Sequence, residues 1–406
     1  MTKRILILVA FLTLNISFLR GEERGLTLED ALSLALKNNP DILRVQKELD
    51  VSRGRRLQLE AIPNPEFVFS NEGLGKAGQN EEKEISLGIQ QTIEFPGKRV
   101  LRGKIGKYGE EATLIELQRI KMIVSSCVEK AYFKAAYSQK VVTSLESVLD
   151  ILKQYIDLAT ERYQTGQVSY LDVIRGKVEY LKVQNELLEA KREMKESTIS
   201  LNLVMGVEDA EPYLFLTELS FTPFEKTLDD FKREVEKSPS LRILQTAKRQ
   251  TETGLELSKK ARFPDLKLGL FYPSLRRGAW GFEVGLTLPV WQKGLKGEIL
   301  LREAENTMSQ ISMEAKKRRI ERSLERAFSD LKVIEEQIKI FEDSLLAEID
   351  DALRMGINNY QYGKTDSLSL LDVYRSYKET KQEFLKTIFL HRVAIAELQV
   401  AGEEEE

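Results

Sequence analysis

YQTGQVSYLDV (163–173) is a loop phrase inside a long stretch without other helix breakers, and YQYGKTDSLSLLDV (360–373) repeats it nearly half a chain later. In each phrase a glycine, Gly166 or Gly363, is followed by a serine and then by an aspartate. Glycine adopts the left-handed turn that ends a helix, and a serine hydroxyl caps the start of the next one. The two phrases therefore predict the tips of two helical hairpins in a duplicated chain.

Long helices are predicted on both sides of each tip. No proline lies between Pro96 and Pro212 or after Pro289, and glycine is absent from 110–165 and from 298–355. These segments are rich in Glu, Lys, Leu, Ala and Gln, and apolar residues recur in them at helical spacing. A helix of sixty-odd residues is roughly 95 Å long at 1.5 Å per residue, which is far longer than a globular domain needs.

The segments before the long helices also match in pairs. The pairs are NNPDI (38–42) with KSPSL (237–241), AIPNPEFVF (61–69) with ARFPDLKLGLF (261–271), and LGIQQTIEFPGKR (87–99) with VGLTLPVWQKGLK (284–296). Each half is therefore predicted to contain a short helix, a helix, two strands, a long helix, a tip and a returning helix. The predicted repeats are 22–206 and 207–406, and the final EEEE (403–406) is expected to be a disordered tail.

The N-terminus is typical of a secretory signal peptide. Lys3 and Arg4 precede the apolar run 5–14, and Gly21 precedes the acidic start of the remaining chain. The run is too short for a spanning helix, so residues 1–21 are predicted to be removed after export.

The composition argues against an enzyme, a metal centre or a nucleic-acid-binding protein. The net charge is only −3, and the chain has a single histidine, His391, and a single cysteine, Cys127. Zinc sites of the Cys/His type and Cys–His or Ser–His nucleophile pairs need more of these residues. Structural roles are expected for both, and no cofactor is predicted.

Two segments alternate between apolar and polar residues as half-exposed strands do. The apolar set, predicted to face the membrane, is Trp280, Phe282, Val284, Leu286, Leu288 and Val290 in one segment and Ile85, Leu87, Ile89 and Ile93 in the other. A half-buried sheet in a soluble protein has the same period. In an exported chain, strands of ~9–11 residues with one apolar face also suit an outer-membrane barrel. Their predicted partner strands, 66–72 and 265–272, are similar in length but less regular. Four strands cannot close alone, so three copies are predicted to share a twelve-stranded barrel above a trimeric helical barrel.

The chain resembles the TolC-type outer-membrane efflux channels over essentially its whole mature length. The resemblance rests on the duplicated halves, on the motifs NNP (38–40) and PNPEF (63–67), and on the two Tyr-x-x-Gly…Leu-Asp-Val tips. QTIEFPGKR (91–99) is most similar to the heavy-metal branch, which handles cobalt, zinc and cadmium.

This resemblance implies a homotrimer in the outer membrane, in contact with its lipid and extending into the periplasm. It also implies a periplasmic adaptor, a proton-driven inner-membrane pump of the RND type, and a channel that narrows at the tips. The matching tip positions are Tyr163, Gly166 and Asp172 in the first tip and Tyr360, Gly363, Asp372 and Arg375 in the second.

Asp372 is the candidate gate residue, because three copies near an axis would form an acidic ring, and Arg375, one turn further on, can pair with Asp372 or with Tyr360. The alternative is an aspartate favoured only by the helix dipole. Heavy-metal export is the expected function. Export of organic compounds through the same architecture, and a soluble periplasmic scaffold or adaptor, are the alternatives.

Overall fold

The computed structural model describes residues 24–72, 84–208, 213–273 and 280–403. The predicted signal peptide and residues 404–406 lie outside this part. The helices are α1 (Leu28–Asn38), α2 (Pro40–Glu60), α3 (Lys98–Gln164), α4 (Tyr170–Met205), α5 (Leu228–Glu234), α6 (Pro239–Lys260), α7 (Gln292–Ile340), α8 (Leu346–Gln361) and α9 (Ser367–Gln399). The strands are β1 (Arg24–Leu26), β2 (Glu66–Glu72), β3 (Glu84–Ile93), β4 (Tyr213–Phe215), β5 (Asp265–Pro273) and β6 (Gly281–Thr287). The prediction of a mainly helical chain with a small β part is confirmed.

The described chain forms two compact units, and each combines segments from both ends of the sequence. The first contains the chain up to Pro40, Met122–Lys226 and Glu325–Ala401, and the second contains Asp41–Lys121, Thr227–Leu324 and the C-terminal residues from Gly402. The repeat boundary at 206/207 stays a prediction, although the order helix, helix, strand, strand, long helix and returning helix does recur along the chain.

The first unit is held by a long hydrophobic core. Side chains at helical spacing on α3 meet side chains of α4, α8 and α9, as the apolar periodicity predicts. A short parallel pair, β1 with β4, was not predicted from the sequence. Fully buried Tyr132 fixes it, because its hydroxyl donates to the carbonyl of Leu26 at 2.8 Å and accepts from the amide of Thr217 at 3.1 Å.

A π-helical segment, Phe341–Leu345, joins α7 to α8 in the same unit. The sequence predicts continuous helix there. Buried His391 packs its ring edge-on against Phe221, with centroids 5.0 Å apart, and lies 3.7 Å from the carboxylate of Glu335. These contacts give His391 the structural surroundings that were expected of it.

The second unit contains a four-stranded antiparallel sheet in the order β2-β3-β5-β6. Its register places most of the apolar side chains of the four strands on one face, since Phe67 pairs with Ile89, Ile89 with Leu270, and Leu270 with Phe282. This face is exposed, and Phe282 keeps 84% of its surface accessible. On the opposite face the ring of Phe271 covers Gly88 and Gly269, and a Cβ at either glycine would collide with that ring.

Most of the apolar set predicted for the strands lies on the exposed face of the sheet, and its contact with the membrane stays a prediction. Leu87, Ile89, Ile93, Val284 and Leu286 lie on the exposed apolar face within the strands. The prediction that the last segment runs over 280–290 is wrong at both ends, since β6 covers only Gly281–Thr287.

Three members of the predicted set therefore lie outside the strand although they remain exposed: Trp280, Leu288 and Val290. The side chain of Ile85 lies outside the described residues.

A set of contacts at the junction between strands and helices fixes the sheet within this unit, and we call it the strand-to-helix lock. It includes residues of QTIEFPGKR (91–99), the sequence that is most similar to the heavy-metal branch. The ring of Phe95 stacks on Phe263 at 4.4 Å. The carboxylate of Asp265 accepts from the amide of Phe95 at 2.7 Å and from Lys98 Nζ at 2.8 Å. EFPGK (94–98) and RFPD (262–265) thus hold each other where strands become helices.

The expectation of a disordered acidic tail is wrong for Glu403. Its side chain is 3% exposed and accepts from the hydroxyl of Ser238 at 2.6 Å. It also accepts from the amide and the hydroxyl of Ser240, at 3.0 and 2.7 Å. Glu403 thereby satisfies donors in the first turn of α6, where a negative charge is favoured by the helix dipole.

Among the described residues, no helix combines the length and the apolar character that crossing a membrane requires.

Candidate functional site

Both predicted tips lie in the first compact unit, and both turns are built alike. Gly166 and Gly363 adopt φ of 73° and 71°, the left-handed region that glycine enters without steric cost. The amide following each glycine donates to a carbonyl five residues earlier, from Gln167 to Arg162 at 2.9 Å and from Lys364 to Asn359 at 2.8 Å. Each long helix therefore ends in the same six-residue closing motif.

The helices that return from the tips are capped differently. Ser169 caps α4 as predicted, accepting from the amide of Leu171 at 3.0 Å. The predicted cap of α9, Ser367, is wrong, because Asp366 accepts from the amide of Ser369 at 2.8 Å instead. The second tip has extra residues before its aspartate, and these bring Asp366 into the cap position.

Ser367 is instead a link between the two tips. Its hydroxyl donates to the carboxylate of Asp172 at 2.5 Å, and Arg175 lies 3.6 Å from the same carboxylate. Asp172 is therefore largely buried between its own helix and α9, where it joins the two hairpins.

The two predicted tyrosines occupy different surroundings. Tyr360 is buried, its ring lies 5.3 Å from that of Tyr155, and the guanidinium of Arg162 is 4.9 Å from its centroid. Arg162 also donates to the carbonyl of Tyr360. Tyr163 is half exposed and meets only its neighbour Tyr170 among the rings of the described chain. Tyr360 is thus part of the inter-hairpin contact, and Tyr163 is a surface residue of the first tip.

Asp372 and Arg375 are brought together, as predicted, at 3.2 Å. The same arginine makes a stronger contact with Glu179 on α4, donating from Nε at 3.1 Å and from Nη2 at 2.9 Å to the two carboxylate oxygens. The side chain of Glu179 is 9% exposed, whereas that of Asp372 is 63% exposed. A bidentate arginine therefore ties α4 to α9, and Asp372 is its solvent-facing second partner.

The electrostatics of the link follow from this geometry. The hydrogen bond from Arg375 lowers the pKa of Glu179 below its ordinary value of 4.5, against the opposing effect of burial. Burial raises the pKa of Tyr360 above 10.0, so its hydroxyl stays protonated at neutral pH. Glu179 is thus charged and Tyr360 neutral under physiological conditions.

Sequence reasoning missed Glu179, Arg162 and Tyr155. A weak signal existed for one of them, because Glu179 follows Asp172 by two helical turns and so projects from the same side of α4. Arg162 and Tyr155 lie on the ascending helix before the tip phrase and carry no signature in the sequence. All three are identified only by the packing of the two hairpins.

The tip can hold two hairpins together and release them without covalent chemistry. Its links are ion pairs, hydrogen bonds and ring contacts between α3, α4, α8 and α9. Within the described residues, no group of three or more His, Cys, Asp or Glu side chains is placed to hold a metal ion.

Comparison with known proteins agrees with this architecture. Residues 31–207 match the family model described as outer membrane efflux protein. The cobalt-zinc-cadmium resistance protein CzcC of Cupriavidus metallidurans is 24% identical over 375 residues, which cover 91% of this chain and 88% of that protein.

Solved structures share the fold along almost the whole chain. That of CusC superposes with a TM-score of 0.79 at 18% identity and covers 92% of this chain and 91% of its own. The outer-membrane channel OprN gives 0.79 at 17% identity, with 92% and 90% covered. The open state of the Neisseria gonorrhoeae MtrE outer membrane channel gives 0.77 at 16%, with 93% and 88% covered. Residues 31–207 thus match the outer membrane efflux protein family, and almost the whole chain has the fold of these solved channel structures.

Proposed function

We propose that this chain is the outer-membrane duct of a tripartite export system that removes heavy-metal cations from the cell. The observation that carries this proposal is the relationship to the cobalt-zinc-cadmium resistance protein, which extends over nine-tenths of both chains. QTIEFPGKR (91–99) resembles the same branch in sequence, and its Phe95 and Lys98 contact Phe263 and Asp265 at the junction between strands and helices.

The duct is passive and acts as an assembly of three copies. The sheet ends in two open edges, β2 and β6, and its apolar face is exposed. Unpaired backbone at a sheet edge is costly in lipid, so neighbouring copies pair these edges in the membrane. Energy for export comes from an inner-membrane pump, which we propose is of the proton-driven RND type and is joined through a periplasmic adaptor.

The tip is the gate of this duct in our proposal. The bidentate contact between Arg375 and Glu179, together with the bond from Ser367 to Asp172, holds the two hairpins of each copy together. Exposed Asp372 has carboxylate surface available beyond its contact with Arg375. Opening of the tip breaks the links between hairpins and leaves the helices intact.

The exposed tip turns are the docking points of the adaptor. A Cβ at Gly166 would meet no atom within 4 Å, but the φ of 73° is strained for any other residue, so a tryptophan there alters both the conformation and the outer surface of the turn. We expect Gly166→Trp to reduce co-purification of the adaptor. Arg318→Trp, at an exposed position on α7, is the matched control and should leave co-purification unchanged.

A deletion strain tests the transported substrate. We expect selective hypersensitivity to cobalt, zinc and cadmium salts, restored by the wild-type chain. Hypersensitivity only to dyes, bile salts and hydrophobic drugs would retain the duct and overturn the metal assignment. Recovery of the chain from the periplasm without detergent would contradict the duct itself.

A further inference from the structure

We propose that an open hollow at the start of α3, beside the sheet, binds the phosphate headgroup of an anionic phospholipid. We call it the basic hollow and define it by Glu60, Ile62, Arg99, Val100, Gly103, Lys104 and Lys107. The proposal rests on the proposed function, which places the adjoining sheet in the outer membrane.

The hollow is built from two chain segments that lead into the sheet and out of it. Glu60 ends α2 and Ile62 precedes β2, whereas the other lining residues lie in the first three turns of α3, after β3. Val100, Lys104 and Lys107 follow each other at helical spacing and so share one side of α3. The volume is about 530 Å³, which lies within the ordinary range of small-ligand sites.

Its charge is positive and is not neutralised within the described chain. Arg99, Lys104 and Lys107 are exposed, and none of them makes an ion pair with any described residue. The single carboxylate of the hollow, Glu60, lies 3.9 Å from Arg56.

Neighbouring cations on the same helix behave differently. Lys98 is paired with Asp265 at 2.8 Å, and Arg102 with Glu94 at 2.5 Å. The cations that serve the fold thus have carboxylate partners, and those that line the hollow are left for an external anion.

Apolar surface lies beside this charge. Ile62 and Val100 line the hollow and are both mostly exposed. The strand β2 starts four residues after Ile62, and β3, which ends seven residues before Val100, carries exposed Ile89 and Ile93. A phospholipid presents the matching pattern, an acidic phosphate next to acyl chains. Cationic side chains close to a membrane surface are attracted to anionic lipid.

A larger hollow in the same unit, of about 750 Å³, lacks this property. Its arginine, Arg302, is paired with both Glu298 at 2.9 Å and Glu305 at 3.0 Å. Its other cation is Lys98, whose partner is Asp265. The anion-binding assignment is therefore specific to the basic hollow.

The test measures phosphatidylglycerol binding to the purified full-length protein in detergent by native mass spectrometry. The triple variant Arg99→Gln, Lys104→Gln, Lys107→Gln should bind phosphatidylglycerol between about tenfold and a hundredfold more weakly than the wild type. Lys104→Gln alone should weaken binding by about fivefold. The matched control is Arg318→Gln, Arg319→Gln, Arg322→Gln, which removes equal charge from exposed positions on α7 and should bind as the wild type does.

Equal affinity of the wild type and the basic-hollow variant would overturn the proposal, as would equal retention of phosphatidylcholine by the wild type. Displacement of the lipid by an equal concentration of inorganic phosphate would overturn the lipid assignment in favour of a free-phosphate site. Metal sensitivity of a deletion strain that carries the same variants separates this question from the proposed function. If the wild-type protein binds phosphatidylglycerol but does not restore metal resistance to the deletion strain, the proposed export function is refuted and the lipid site is retained.

Discussion

Arg375 is shared by two carboxylates that differ greatly in burial. Glu179 is almost enclosed and accepts two hydrogen bonds, whereas Asp372 is mostly exposed and accepts one. Solvent screens an exposed pair, so the tie between α4 and α9 depends mainly on Glu179.

Glu179→Ala should therefore open the tip more than Asp372→Ala. Arg375 is itself 41% exposed, so we expect a shift of about 1 kcal/mol, or about fivefold in the open population. Single-channel conductance in planar bilayers measures this shift. Glu189→Ala is the matched control, because Glu189 is exposed and its partner Arg192 lies on the same helix, so the change removes no link between α4 and α9. A larger increase in conductance in Asp372→Ala than in Glu179→Ala would contradict this prediction.

The same link predicts how the tip responds to acid. The pKa of Glu179 is lowered by its partner, so the contribution of the link is complete above 4.5 and is lost as the pH falls through the lowered value. We expect the Glu179-dependent conductance to stay constant from neutral pH to about pH 4.5 and to rise only below it. In Glu179→Gln this rise should be absent. A rise in conductance near pH 6 that disappears in Glu179→Gln would refute the lowered pKa of Glu179.

The residue scale also shows the limit of sequence reasoning at the tip. Gly166 and Gly363 were predictable because a left-handed turn requires their backbone freedom. The pairing of Arg375 with Asp372 was predictable because they are three residues apart on one helix. Glu179 was not predictable, since its contact with Arg375 depends on the register between α4 and α9.

At the scale of elements, the junction between strand and helix is fixed by Asp265. Its carboxylate joins the amide of Phe95 to Lys98, and the side chain of Lys98 is only 11% exposed. Asp265→Ala leaves both donors without this acceptor and should lower the free energy of unfolding by about 2 kcal/mol. The thermal midpoint of the purified protein measures the change. Glu283→Ala, at an exposed position on the neighbouring strand, should leave the midpoint close to that of the wild type.

The C-terminus acts as a structural element through Glu403. Glu403→Ala removes a buried carboxylate that accepts three hydrogen bonds at the start of α6, and should destabilise the protein by about 3 kcal/mol. Thermal denaturation of this variant is compared with that of Glu314→Ala, which removes the same charge from an exposed helix position. Equal midpoints for the two variants would show that Glu403 belongs to a solvated tail.

Helices and strands were predicted correctly where a local sequence pattern repeats. They were missed where contacts between distant segments determine the structure. The segment 66–72 was predicted at its observed bounds, and α3 and α9 were identified from the absence of breakers. The pairing of β1 with β4 joins residues from distant parts of the chain through Tyr132, so neither short strand has a local signal. Phe341–Leu345 likewise has a sequence that ordinary helix tolerates.

At the scale of the whole molecule, the order of two helices, two strands, a long helix and a returning helix recurs along the chain, as a duplicated sequence predicts. The exposed apolar face and the open edges of the sheet leave surface that further copies and lipid cover in the proposed duct. The fold was predictable from the repeat.

The central claim is export of heavy-metal cations, and the cadmium content of cells tests it most directly. The content is measured by elemental mass spectrometry after a brief exposure, in a deletion strain carrying either the wild-type chain or an empty vector. We predict that cells with the wild-type chain retain several-fold less cadmium, and that cells with Gly166→Trp retain as much as the deletion strain. Equal cadmium content with and without the wild-type chain would contradict the account.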